Sequence, residues 1–338
     1  MSKNLENCVS ELIDRKLLSN ICVRIGKAEQ ILLDYYKSTE QELNTDTLFD
    51  MASVSKILSA TQLALIAIDR GLLDLEDTVS RYMPDYQGEM TIRHLMTHTM
   101  GIGHKNLCRE GNTYENIGEY ILTIPSDIPV GSDVLYSCPG FILLGKILEK
   151  VYGERLDQLF DRYIAKPLGM IHTCYKPAAA ENMVLACPDD QEKGIVHDYN
   201  CRFLGGIAGN AGIFSCVSDL DMFCHMLLRQ GEPLYAKEIF AEAAQNHTSG
   251  MAESRGLGFV YNDAKYTRTG NLLPVGSVGH GGYTGQLVFA YPKSGLYAFI
   301  LTYLTRNWIA GRYDYYEMVR ENLKNISNAI AQDLKSDL

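Results

Sequence analysis

The segment that most restricts how this chain folds is the run 57–68, where only Ser59, Thr61 and Gln62 are polar before Asp69-Arg70-Gly71 stops it. A helix apolar on every side offers water no face and is buried inside a larger fold. Immediately ahead of it stands Phe49-Asp50-Met51-Ala52-Ser53-Val54-Ser55-Lys56. Ser53 and Lys56, three residues apart, share one face of the opening turn. Unpaired backbone N–H groups and the positive end of the helix dipole lie there too. A serine hydroxyl becomes a nucleophile when a neighbour takes its proton. A lysine whose ammonium is disfavoured by desolvation or nearby cations can take or relay it. Ser-x-x-Lys also arises by chance, as a cap followed by a solvated first-turn lysine, so the pair needs support from elsewhere in the chain.

Composition narrows the classes. At 338 residues the chain can bury a sizeable core, and 46% hydrophobic with 21% charged residues is a globular balance. A net charge of −10 and no clustered Lys and Arg leave no means of neutralising phosphates, so no nucleic-acid partner is expected. No run of 18 or more apolar residues is present, and no membrane partner is expected either. The first residues lack an apolar signal-peptide core and instead read as an amphipathic helix to about Leu17, with Leu5, Val9, Leu12 and Ile13 on one face. Nine cysteines without a Cys-x-x-Cys pair suit free thiols in a reducing compartment, so the expected location is cytoplasmic.

Further along, residues 21–25 and 30–36 are β-like around Gly26-Lys27, which suggests a hairpin. Residues 72–198 are mainly helical, with a helix over 139–151 that has Pro139 at its start and Gly153 past its end. A second helix spans 218–228, with Ser218 and Asp221 as a variant capping box. Strands are predicted over 256–261, 286–291 and 297–303, the last two joined by a turn at Pro292-Lys293-Ser294-Gly295. A final helix runs from Asp314 to Leu334. The pattern describes one α+β domain, with an α/β part from 1–71 and 199–338 and a mainly helical part from 72–198.

Two other stretches carry chemistry. Tyr136-Ser137-Cys138 precedes the helix at Pro139, where nearby cations and the helix N-terminus can lower a phenol's pKa; the plain alternative is an aromatic that anchors a loop. Gly279-His280-Gly281-Gly282-Tyr283-Thr284-Gly285 lets backbone come close to a neighbour and offers N–H groups for an oxyanion, or else forms a bulge with an incidental histidine.

In order, Ser53-Val54-Ser55-Lys56, Tyr136-Ser137-Cys138 and His280-Gly281-Gly282 resemble the Ser-x-x-Lys, Tyr-x-Asn and Lys-Thr-Gly or His-x-Gly motifs of the serine β-lactamase and penicillin-binding protein superfamily. The likeness is to the side of the class C β-lactamases and their esterase relatives. Thr91-Ile92-Arg93-His94-Leu95-Met96-Thr97-His98, Pro167-Leu168-Gly169-Met170 and Gly209-Asn210-Ala211-Gly212-Ile213-Phe214-Ser215 also look like family segments. The resemblance implies a β-lactamase/transpeptidase-like α+β fold, an antiparallel sheet flanked by helices with a mainly helical insertion. It also implies Ser53 as the acylated nucleophile, with Tyr136 and Lys56 as the proton-handling pair. Which of the two is the base is left open. The backbone N–H groups of Ser53 and Tyr283 are the implied oxyanion hole, and His280, Gly281, Gly282 and Cys138 the implied substrate contacts.

Cys138 departs from the motif, because a thiol lacks the paired donor and acceptor of an amide. An ester is therefore expected over a β-lactam or peptide, with no metal or organic cofactor. A D-amino-acid amidase, peptidase or β-lactamase using the same mechanism is the near alternative, and a non-catalytic binding or assembly protein on this scaffold the distant one. His94, His98 and His104 match a zinc-ligand spacing, but Leu95 stands where that motif needs its glutamate, so no metal site is expected. His197-Asp198 reads as a structural couple.

Overall fold

The structure, a computed structural model, describes residues 2–178, 182–184, 193–265, 267–304 and 315–335. Both ends of the chain build one antiparallel sheet. Its strands are β1 (Leu18–Lys27), β2 (Gln30–Ser38), β6 (Val260–Tyr261), β7 (Val278–Gly281), β8 (Leu287–Tyr291) and β9 (Leu296–Leu304), in the order β2-β1-β9-β8-β7-β6. A smaller sheet orders β3 (Phe49–Asp50), β5 (Ile213–Ser215) and β4 (Cys174–Tyr175) as β3-β5-β4. Because β4 comes from the mainly helical stretch and β3 and β5 flank it in sequence, this small sheet ties the helical region to the rest. The fold mixes helices with antiparallel sheet.

Side chains alternate across the large sheet, and the two faces enter two cores. Leu287 and Phe289 face a core made with the terminal helices, Lys3–Asp14 and Tyr315–Asp333. Those helices are joined where the Asp333 carboxylate accepts the backbone N–H groups of Asn4 (3.1 Å) and Leu5 (2.9 Å). Val288 and Ala290 face the opposite way, into the larger core shared with the helical region. His280 pairs with Val288 across the β7–β8 ladder and so points into that second space.

The apolar 57–68 run is interrupted. Ser55–Leu58 and Ala60–Asp69 are separate helices, broken where Ser59 leaves helical geometry (φ −119°, ψ −84°) and its hydroxyl accepts a hydrogen bond from Tyr175 at 2.9 Å. Among the described residues one helical segment, Ala52–Asp69, is long and apolar enough to cross a membrane, and 83% of it is buried inside the protein.

Several sequence expectations need correction. The first helix ends at Asp14 because β1 begins at Leu18. Lys27 pairs with Gln30, so the hairpin turns at Ala28-Glu29; Gly26 is needed instead because a Cβ there would lie 2.3 Å from the Tyr297 ring. The Val217–Leu228 helix has no capping box, since the Ser218 hydroxyl is used on Asp46 at 2.8 Å. Only Val260–Tyr261 of the 256–261 run is strand, and β7 was missed because its glycines mask the β pattern. Asp314, the expected start of the last helix, lies outside the described residues.

Candidate active site

The site begins with a buried carboxylate. Asp50, at the end of β3, accepts the backbone N–H of Ala52 (2.8 Å) and of His197 (2.7 Å). These bonds hold Ala52 at φ +45°, a left-handed conformation costly for a residue with a Cβ, immediately before Ser53. Burial pushes the Asp50 carboxyl up to about 6, although its two backbone donors pull the other way. The turn is fixed from the other side by β5: Met51 N–H donates to the Ile213 carbonyl (2.9 Å), and Ile213 N–H donates to Ser55 Oγ (3.1 Å).

Lys56 is 0% exposed. Its Nζ donates to Ser53 Oγ at 3.0 Å and to the Asn210 carbonyl at 3.0 Å, and lies 3.7 Å from Cys138 Sγ. The Tyr136 and Phe141 rings stand 5.0 and 5.7 Å from it, within cation–π range. Asn210 reaches Lys56 because the chain at Gly209 lies against the Cys138–Tyr152 helix so closely that a Cβ on Gly209 would sit 2.0 Å from the Phe141 carbonyl.

Tyr136 O–H donates to Ser53 Oγ at 2.8 Å. Its loop is set by His98, whose Nδ1 accepts Ser137 N–H (3.0 Å), and by Ser137 Oγ, which caps the Cys138–Tyr152 helix by accepting Gly140 N–H (3.0 Å). The expected electrostatics are reversed in part. Burial pushes the Tyr136 phenol up to about 12, and the opposing pull of Lys56 does not overcome it. For Lys56, burial disfavours the ammonium, but Cys138 and Tyr136 outweigh it and hold the group above the ordinary lysine range. The resting pair is thus a protonated lysine and a neutral phenol. For Cys138 burial acts upward, but Lys56 and a hydrogen bond with His104 bring the thiol below its usual range.

The Gly-rich segment is split between strand and turn. His280 Nδ1 lies 2.7 Å from the Gly281 carbonyl, so that nitrogen carries the proton and Nε2 is left as a lone pair. Burial, Lys56 and Arg255 hold the ring neutral, well below the ordinary histidine range. A Cβ on Gly282 would lie 2.5 Å from Gln286 Oε1 and 3.0 Å from the Met51 carbonyl, so only glycine lets this turn rest on the Ser53 turn. Tyr283 follows directly, its ring stacked on His197 with centroids 5.2 Å apart.

Ser53, Tyr136, Cys138, His280, Gly281, Gly282 and Tyr283 all line one cavity of about 930 Å³, with Lys56 behind Ser53. The three histidines with zinc-like spacing go separate ways. His94 Nδ1 accepts Thr91 N–H (3.0 Å), His98 anchors the Tyr136 loop, and His104 lines the cavity beside Cys138. Among the described residues no group of three or more His, Cys, Asp or Glu side chains is placed to hold a metal ion. Asp198 caps the Tyr199–Phe203 helix by accepting Cys201 N–H at 2.8 Å. Sequence reasoning missed Asp50, His98 and the Asn210 carbonyl, all parts of recognised segments whose roles are visible only once those segments pack.

This fold, with a serine, lysine and tyrosine meeting at the edge of its main sheet, defines a chain of the β-lactamase/transpeptidase class. A family model described as Beta-lactamase matches residues 5–315, and the chain belongs to that family. It is 27% identical to an N-acetylmuramyl-L-alanine amidase of Bacillus subtilis, over 77% of this chain and 69% of that protein. Among solved structures it is similar to an octameric penicillin-binding protein homologue from Pyrococcus abyssi, with TM-score 0.76, 19% identity and coverage of 98% and 77%. It is similar also to EstCE1, a hydrolase with promiscuous acyltransferase activity, with TM-score 0.75, 22% identity and coverage of 95% and 98%.

Asp50→Ala leaves the buried N–H groups of Ala52 and His197 without their acceptor. At about 1–3 kcal/mol for each of the two unsatisfied groups, the expected loss in urea unfolding is about 2–6 kcal/mol, with Asp50→Asn between it and the unmodified chain. An unchanged midpoint for Asp50→Ala would remove Asp50 as the support of the Ser53 turn.

Proposed function

We propose that the chain is a serine hydrolase that forms an acyl-enzyme at Ser53 and favours small esters. The observation that carries this reading is the double hydrogen bond to Ser53 Oγ, from Lys56 Nζ at 3.0 Å and Tyr136 O–H at 2.8 Å, at the wall of a cavity. When the Lys56–Tyr136 pair loses one proton, it accepts the proton of Ser53 as Oγ attacks the carbonyl carbon. The same pair returns a proton to the leaving group and later activates water. The backbone N–H groups of Ser53 and Tyr283 hold the oxyanion, and each such donor is worth roughly 100- to 1,000-fold in rate.

Esters are favoured because Cys138 cannot pair with a substrate amide as a carboxamide does, and an ester needs less help to expel its leaving group. The name of the B. subtilis relative supports the second reading, an amidase working through the same serine.

A panel of 4-nitrophenyl esters, 4-nitroanilides and a chromogenic cephalosporin, with Ser53→Ala as control, tests the proposal. Ester turnover is expected to exceed the other two and to vanish in the variant. Faster anilide or cephalosporin turnover would overturn the ester preference, and turnover that survives Ser53→Ala would overturn the nucleophile. The pH profile is a second check. With Tyr136 pushed up to about 12 and Lys56 above the lysine range, the base form of the pair grows only as pH rises. For a neutral ester, kcat/KM is expected to climb through about pH 9. A plateau reached by about pH 7 would contradict that ordering.

A further inference from the structure

Cys138 is drawn into this site without a part in the acyl-transfer chemistry. Its Sγ lies 3.7 Å from Lys56 Nζ, and Cys138 and His104 line the same cavity as Ser53. Cys138 also opens the Cys138–Tyr152 helix, so its thiol stands at the positive end of that helix. An ammonium, an imidazole and a helix N-terminus around one sulfur make the electropositive setting in which a thiol ionises and becomes nucleophilic.

The other cysteines are placed differently. All eight described cysteines are free thiols. Burial pushes seven of them up, whereas Lys56 and the His104 hydrogen bond bring Cys138 below its usual range although it too is buried. The cavity holds a second group suited to a small ligand that carries an O–H. His280 is 3% exposed, lines the cavity, and keeps at Nε2 a lone pair with no hydrogen-bond partner among the described residues.

We propose that Cys138 is a modification site for hydrogen peroxide, and that its oxidation to a sulfenic acid reversibly shuts the Ser53 site. The thiolate sulfur attacks one peroxide oxygen. The S–O bond forms as the O–O bond breaks, so sulfur loses two electrons and the peroxide gains them. The departing hydroxide takes a proton from the Lys56 ammonium and leaves as water, and Lys56 regains its proton from solvent. The added oxygen then fills space in the cavity and offers Lys56 an acceptor that competes with Ser53 Oγ. An external thiol reverses the change through a mixed disulfide. The modification stands on its own geometry; only the loss of turnover rests on the reading of Ser53 as nucleophile.

The test treats the freshly reduced, unmodified chain with hydrogen peroxide at about pH 7. Dimedone, which traps sulfenic acids, is added to one portion, whose peptides are weighed over time. Turnover of 4-nitrophenyl acetate is followed in a second portion without dimedone. The label is expected on Cys138 at least about tenfold faster than on any other cysteine, with turnover falling in step by at least about tenfold. Dithiothreitol is expected to restore turnover, which it does not do for oxidised methionine. Lys56→Met is expected to slow the labelling of Cys138 by about tenfold or more, and whatever turnover Cys138→Ser has is expected to withstand the peroxide. Equal or faster labelling of another cysteine, or turnover unchanged once Cys138 is fully oxidised, would overturn the proposal. Labelling of Cys138 as expected in a chain that turns over no ester would instead overturn the hydrolase reading and leave the modification site standing.

Discussion

A fully buried ammonium is the constraint around which this structure is arranged. Taking a charge such as that of Lys56 out of water costs several kcal/mol unless polar groups replace its hydration. Here the replacements come from separate parts of the chain: Ser53 Oγ from its own turn, the Asn210 carbonyl from the segment before β5, and Cys138 with the Tyr136 and Phe141 rings from the helical region. To satisfy one side chain, the sheet region and the helical region must meet, and their meeting places the serine at the cavity. Glycine at 209 and 282 permits the close backbone approaches on which that convergence depends.

The electrostatics around the serine follow from burial as much as from charge. Lys56 and Arg255 both lie near the Tyr136 ring, and together with burial they keep His98 and His280 neutral. Each histidine therefore works through a fixed tautomer. His98 accepts a hydrogen bond from a backbone N–H and positions the Tyr136 loop; His280 donates to a carbonyl and turns a lone pair inward. Burial also keeps the proton on Tyr136.

Much of this could be read from the chain, for identifiable reasons. The Ser53 turn, the Tyr136 loop and the Gly-rich segment announce themselves because they demand particular residue types at short spacing. Long apolar helices and strands such as Cys138–Tyr152 and Leu296–Leu304 carry strong local patterns. What could not be read depends on contacts distant in sequence. Nothing local shows that Asp50 receives the N–H of His197, that Ser218 spends its hydroxyl on Asp46, or that β7 is a strand despite its glycines. The direction of the Lys56 and Tyr136 shifts was equally hidden, since it is set by how completely the two groups are enclosed together. Arg255 stood in plain view as a residue, but its burial against Tyr136 is a property of the folded chain alone.

The most direct test of Ser53 as the acylated group is to locate the acyl group itself. The unmodified chain is mixed with an excess of an activated ester, quenched in acid during turnover, digested, and its peptides weighed. The account predicts one added acyl mass on the peptide containing Ser53, at Ser53 on fragmentation, and no adduct in Ser53→Ala. An acyl group on the Cys138 thiol, which faces the same cavity beside Lys56, or on no residue at all, would contradict it.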